Sequence, residues 1–125
     1  MPEMTARVRA YNLTKQTCVA SEVEVASTVM RRVVGLLGRR SLPHGHGLLL
    51  WPCNGIHTCF MRFPVDVVFV DRGGRAVSVA EAVPPFRFIP YVRGAAGALE
   101  LPAGAVRESR TEVGDNIVFL EGVGL

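Results

Sequence analysis

The chain has 125 residues, 49% of them hydrophobic and 20% charged, with a net charge of +3 and a pI near 9.1. That length suits a single domain, 1–125, with a real core and is too short for two, and the apolar content excludes a disordered chain. Its longest apolar runs are strand length, which excludes a membrane-spanning helix, and Arg7 and Arg9 interrupt the only early apolar stretch, so no secretory leader is expected and the expected compartment is the cytoplasm.

In chain order, residues 6–11 and 19–25 both alternate, the second as Val19, Ser21, Val23, Val25 against Ala20, Glu22, Glu24. With LTKQT between them they predict an opening hairpin. Ser27 can cap a helix whose apolar positions Val29, Met30, Val33, Leu36 and Leu37 follow helical spacing, with Gly38 and the Pro43 region ending it. SLPHGHG reads as a loop and GLLLWP as a short buried strand ended by Pro52. A CNG turn then leads into an extended segment from Ile56 to Met61, Phe63-Pro64 forces a break, and residues 65–70 form a strand apolar on both faces, as at the centre of a sheet.

DRGGR predicts a hairpin turn into residues 76–83, because paired glycines supply the positive φ such turns need. Three prolines make PPFRFIPYVRG irregular, either a lid or a long connection, with Phe86, Phe88 and Tyr91 covering an apolar surface or lining a groove. Residues 96–101, a PAG turn, a segment around 106–111 and a last strand at 116–121 complete the chain. These landmarks predict a compact, β-rich α+β domain: a barrel-like sheet of about seven or eight short strands with one main helix inserted early.

Four ordered blocks, GLLGRRSLPHGHGLLLWP, IHTCFMRFPVDVVFVD, ALELPAG and VGDNIVF, together resemble the small bacterial and archaeal proteins grouped as domain of unknown function 192 (DUF192). The resemblance runs from about Ser27 to Phe119. Gly35, Leu36, Gly38 and Arg39 match the family's Gly-Leu-Met-Gly-Arg, with Leu37 in place of the Met. Met61, Arg62, Pro64 and Asp66 match its Met, basic residue and Pro-x-Asp, and Ile-His-Thr precedes the Met as in one branch of the family. Cys59 falls where that branch has an aromatic or small residue. The resemblance implies a compact β-rich fold, and the family brings no settled activity with it.

Chemistry is expected in the segment 52–71, where two thiols, an imidazole, an arginine and the Asp66 carboxylate interrupt an apolar run. Cys53, His57 and Cys59, with His44 and His46 upstream, are candidate zinc ligands, but Cys-x3-His-x-Cys is not a standard knuckle spacing. Cys53 is a candidate nucleophile with His57 as its base, and Asp66 or Glu100 would orient the imidazole. For both thiols and for His57 a packed structural role ranks above either chemistry. Three cysteines leave one unpaired in any case, and reduced thiols are expected. Asp66 reads first as an acceptor for turn backbone or a partner of Arg62 or Arg39, and second as a ligand-facing carboxylate. Glu100 carries the same two readings, and Asp115 reads as a turn residue.

The leading reading is therefore a non-catalytic binding or accessory domain. Its polar-lined cleft is built from Arg39, His57, Thr58, Met61, Arg62, Asp66 and Glu100, with no cofactor and with a small ligand or a protein as partner. A thiol-dependent enzyme and a metal-binding protein rank below it. Nucleic acid ranks last, because Arg31, Arg32, Arg39 and Arg40, the one basic excess, lack a companion row of exposed aromatics.

Overall fold

The computed structural model of the protein describes residues 7–28, 39–59 and 61–121. β1 (Arg7–Asn12) and β2 (Thr17–Ala26) form the expected antiparallel hairpin. Its alternation is not uninterrupted. Val8 faces Val23, Ala10 faces Ala20 and Tyr11 faces Cys18, so β2 carries an extra residue twice. Neighbouring Val19 and Ala20 are consequently both buried, and the amides of Ser21 and Glu22 both donate to the Gly45 carbonyl. Bulges of this kind bend and twist a strand, which begins the curl of the sheet.

β3 (His46–Leu50) runs parallel to β2, and β8 (Gly97–Pro102) pairs with β3 on its far side. β5 (Val65–Val70) lies between β8 and β6 (Ala76–Val83) with all six residues buried, as a strand covered on both faces requires. β9 (Ile117–Glu121) pairs with β1, giving one seven-stranded sheet in the order β6-β5-β8-β3-β2-β1-β9. A separate two-stranded ribbon joins β4 (Ile56–His57) to β7 (Phe88–Ile89).

The sheet is curled until its two outer strands touch at one end. The Ile117 amide donates to the Gly74 carbonyl, the Ala76 amide to Asp115 and the Gly114 amide to Ala76, each at 2.8 Å. Gly74 has φ 90°, and a side chain there would collide with the Ile117 carbonyl, so the paired-glycine turn serves both the hairpin and this clasp. Asp71 completes the turn by accepting from the amides of Gly73 and Arg75, each at 2.9 Å.

Two apolar clusters lie on the two faces. Inside the curl, Ala10, Val23, Leu49, Val68, Val70, Leu99, Leu101 and Ile117 pack with Val106 of a short helix, α1 (Ala105–Ser109). On the outer face, Leu48, Leu50, Val65, Val67, Phe69 and Ala98 are covered by Leu42, Ile56, Met61, Ile89 and Val92. Each fully buried Val or Leu contributes roughly 2 kcal/mol of transfer free energy before chain entropy is counted.

The described residues are thus β-dominated, a strand-rich half-barrel with one short helix. That helix comes late, at residues 105–109, where no helix was expected. The early helix expected after Ser27 falls on residues 29–38, which lie outside the described residues. The extended segment expected to reach Met61 ends at His57, because Thr58 turns inward and its carbonyl accepts from the Met61 amide at 3.1 Å. No helix among the described residues is long and apolar enough to cross a membrane.

Candidate functional site

The cover of the outer face is built from two segments, 51–64 and 84–96, fastened to each other and to the sheet. The Cys53 amide donates to Ala96 O and the Ala96 amide to Val70 O, each at 2.8 Å, and the Val92 amide donates to Asn54 O at 2.7 Å. A Cβ on Gly55 would lie 2.7 Å from the Ile89 carbonyl oxygen, so only glycine lets the two segments approach this closely. The central fastener is Thr58, fully buried. Its Oγ1 donates to Pro84 O at 2.7 Å and accepts from the Arg87 amide at 2.8 Å, while its backbone exchanges hydrogen bonds with Arg87 O and the Phe86 amide.

This clamp fixes Phe86 at φ 63°, a left-handed conformation that costs a bulky residue about 1–2 kcal/mol. Thr58→Val keeps the shape and loses the hydroxyl, leaving the Arg87 amide and the Pro84 carbonyl without it. A stability loss of roughly 1–2 kcal/mol is expected in urea denaturation, with earlier proteolytic cleavage within 84–93. Unchanged stability and an unchanged cleavage rate would show that the clamp does not hold the segment.

What the clamped segment presents is aromatic and basic. Phe86, Phe88 and Tyr91 are 65%, 69% and 63% exposed, with Arg87 and Arg93 exposed between and after them. At the Ala95–Ala96 end of the cover opens a groove of about 730 Å³ lined by Trp51, Pro52, Cys53, Asn54, Arg72, Ala95 and Ala96. Neither 51–64 nor 84–96 contains an Asp or Glu. His57 and Arg62, both exposed, belong to the same cover. The missing carboxylates were readable in the sequence; the outward turn of the rings was not.

The predicted cleft residues do not converge. Val67 faces Glu100 across the β5–β8 ladder and Asp66 faces Leu101, so the two carboxylates project from opposite faces of the sheet. Asp66 points inside the curl, where Oδ1 accepts from the Ala82 amide at 2.8 Å and Oδ2 from Gly104 at 3.0 Å and Val106 at 2.9 Å. It is an acceptor of backbone hydrogen bonds, as its first reading had it, but its partners are 82, 104 and 106 rather than the Phe63-Pro64 bend, Arg62 or Arg39. Met61 is buried in the outer apolar cluster.

Glu100 lies on the outer face, 3% exposed, between Leu48 and Val67 on the neighbouring strands. Burial pushes its carboxyl up to about 7, against the opposing pull of the Arg39 guanidinium. Arg39 itself pairs with Glu24 at 3.3 Å. Arg39 and Glu100 are thus brought near each other, while His57 and Arg62 lie on the exposed cover.

Cys53 Sγ donates to Gly55 O at 2.9 Å, and His57 is exposed on the ribbon. Among the described residues no three His, Cys, Asp or Glu side chains gather as a metal would require, and His44 pairs with Glu108 at 2.5 Å. The residue most underestimated from sequence is Asp115. Its Oδ2 accepts from Asn12 at 2.9 Å, Lys15 at 2.8 Å and the Glu112 amide at 2.9 Å, a buried hub rather than a simple turn. Burial alone would raise its carboxyl, but these hydrogen bonds outweigh it and hold Asp115 below the usual carboxylate value.

A half-barrel sheet clasped at one end, with a short helix inside and a fastened cover outside, defines the structural class. A crystal structure of a Sinorhizobium meliloti 1021 protein described as a "putative transcription regulator" has it, with a TM-score of 0.80, 25% identity, and coverage of 95% of this chain and 96% of that one. A protein of unknown function from Novosphingobium aromaticivorans shares the fold with a TM-score of 0.77 at 19% identity, over 91% of this chain and 84% of that one. The chain belongs to the DUF192 family (Uncharacterized ACR, COG1430), whose model matches residues 11–119. It is 29% identical over 111 residues to a UPF0127 protein of Pyrococcus furiosus, covering 85% of this chain and 93% of that protein. A UPF0127 protein of Pyrococcus horikoshii is 30% identical over the same length, with 85% and 94% covered.

Proposed function

We propose that the protein is a non-catalytic binding domain that recognises an anionic partner through the outer cover, with Arg72, Arg87 and Arg93 as its charged contacts. The observation that carries this reading is the stretch of exposed aromatic and arginine side chains on two fastened segments that contain no carboxylate. Arginine suits this role because its planar fork binds oxyanions through paired hydrogen bonds and its weak hydration lowers the cost of contact. The Sinorhizobium meliloti relative's description as a regulator of transcription is in keeping with an anionic partner.

Retention on immobilised heparin, a polyanion, tests the reading. Arg87→Glu with Arg93→Glu is expected to elute at distinctly lower salt than Arg7→Glu with Arg9→Glu, which makes the same charge change on exposed positions of β1. Equal shifts for the two pairs would mean that net charge alone governs retention and that the cover is not the recognition surface.

A further inference from the structure

We infer that the anion recognised by the cover is a single-stranded nucleic acid, with Phe88 and Tyr91 stacking on bases and the neighbouring arginines on the phosphates. The inference rests on the anionic-partner reading above and names its chemical class.

The kind of apolar surface distinguishes this partner from an acidic protein. Among the described residues of the cover the large hydrophobic side chains that stand out into solvent are all rings, whereas the exposed aliphatic ones, Leu13, Val113 and Leu120, lie on other parts of the fold. Anchoring a peptide takes pockets that enclose side chains; a base needs only a flat π-face, and every base has one. Arg87 lies directly between Phe86 and Phe88, and Arg93 lies two residues after Tyr91, so positive charge alternates with stacking surface along the segment.

The groove at the Ala95–Ala96 end of the cover, whose wall residue Asn54 accepts from the Val92 amide, supplies the rest of such a site. Arg72 and Asn54 on its walls offer donors to phosphate or base edges, and no acidic side chain is among the described residues that line it. Single strands are favoured over duplex because rings at these positions need unstacked bases. The short helix among the described residues packs inside the curl through Val106 and is not presented for a major groove. The Thr58 clamp and the left-handed backbone at Phe86 hold the segment in place before any partner arrives, so little ordering entropy is lost on binding. Nucleic acid ranked last from sequence for want of exposed aromatics beside the arginines; the ribbon provides them on a different set of arginines.

Fluorescence anisotropy of the full chain tests this with labelled oligothymidylate, a duplex of the same length and a glutamate-rich peptide. Oligothymidylate is expected to bind more tightly than the duplex or the peptide, with an affinity that falls with salt at a slope of about 2, as three phosphate contacts would give. Phe88→Ala with Tyr91→Ala is expected to weaken it about tenfold or more with an unchanged melting point. Phe88→Leu with Tyr91→Leu, which keeps apolar bulk and removes the ring faces, is expected to weaken it equally. Equal binding of duplex and single strand, or wild-type affinity in the Leu pair, would overturn the inference. Binding of the peptide without the oligonucleotide would overturn it and leave the anionic-partner reading standing, and binding of neither would remove both.

Discussion

Asp66→Ala is expected to cost on the order of 4 kcal/mol of stability and to lower the melting point by roughly 10 °C or more. Three backbone amides from two separate elements converge on this one carboxylate, and each is a charge-assisted hydrogen bond in or near the core. Two of them come from the start of α1, where Gly104, the N-cap residue, has no side chain to accept from the first turn. The third comes from Ala82, whose positive φ of 49° marks a distorted end of β6. Removing the carboxylate strands all three donors at once. Asp66→Asn keeps the volume but turns an NH₂ toward at least one amide, so an intermediate loss is expected. Urea unfolding of both variants checks this, and an Ala variant within about 1 kcal/mol of wild type would show that water replaces the carboxylate without penalty.

Glu100→Gln is expected to stabilise the protein, and only where the native carboxyl would be ionised. With its value raised from 4.5 to about 7 in the folded chain, Glu100 holds its proton over a range in which the unfolded chain has already lost it. Folded protein therefore binds more protons between those two values, and stability falls as pH rises through them. The total loss is roughly 3 kcal/mol, complete above about pH 8. Glutamine is neutral at every pH and cannot suffer it. Wild type and variant should melt together near pH 4.5 and separate steadily up to about pH 8, with the variant higher. Arg39 and Glu24, the charged neighbours on that face, remain in both proteins. A gap of constant size across the whole range would mean that Glu100 is not buried as a charge-sensitive group.

The strands on either side of DRGGR and the buried β5 were legible because periodicity, paired glycines and a continuous apolar run all point the same way. The direction of Asp66 and Glu100 was not. In a strand buried on both faces alternation carries no facing signal, and the ladder register that separates the two carboxylates is set by long-range pairing. α1 escaped because five residues are too few for a helical repeat, and its start is held by a carboxylate 38 residues away from Gly104. The hub at Asp115 was hidden for the same reason, since its partner Asn12 is 103 residues distant. Thr58 looked like any strand residue, and its inward turn depends on carbonyls and amides beyond Val83. The exposed rings belong to this class too, for their sequence is equally good as core; only the clamp beneath them decides which way they face.

The pairing of β1 with β9 has a bearing on how the chain is made. β1 leaves the ribosome before β9 and finds β2 within a few residues, but its other edge has no partner until residues 117–121 have followed. Until then a nascent hairpin carries an open row of amides and carbonyls, the kind of edge that recruits foreign strands. Completion of the sheet is therefore a late, chain-length-dependent event, and ribosome-stalled intermediates ending before β9 should be the species that chaperones hold longest.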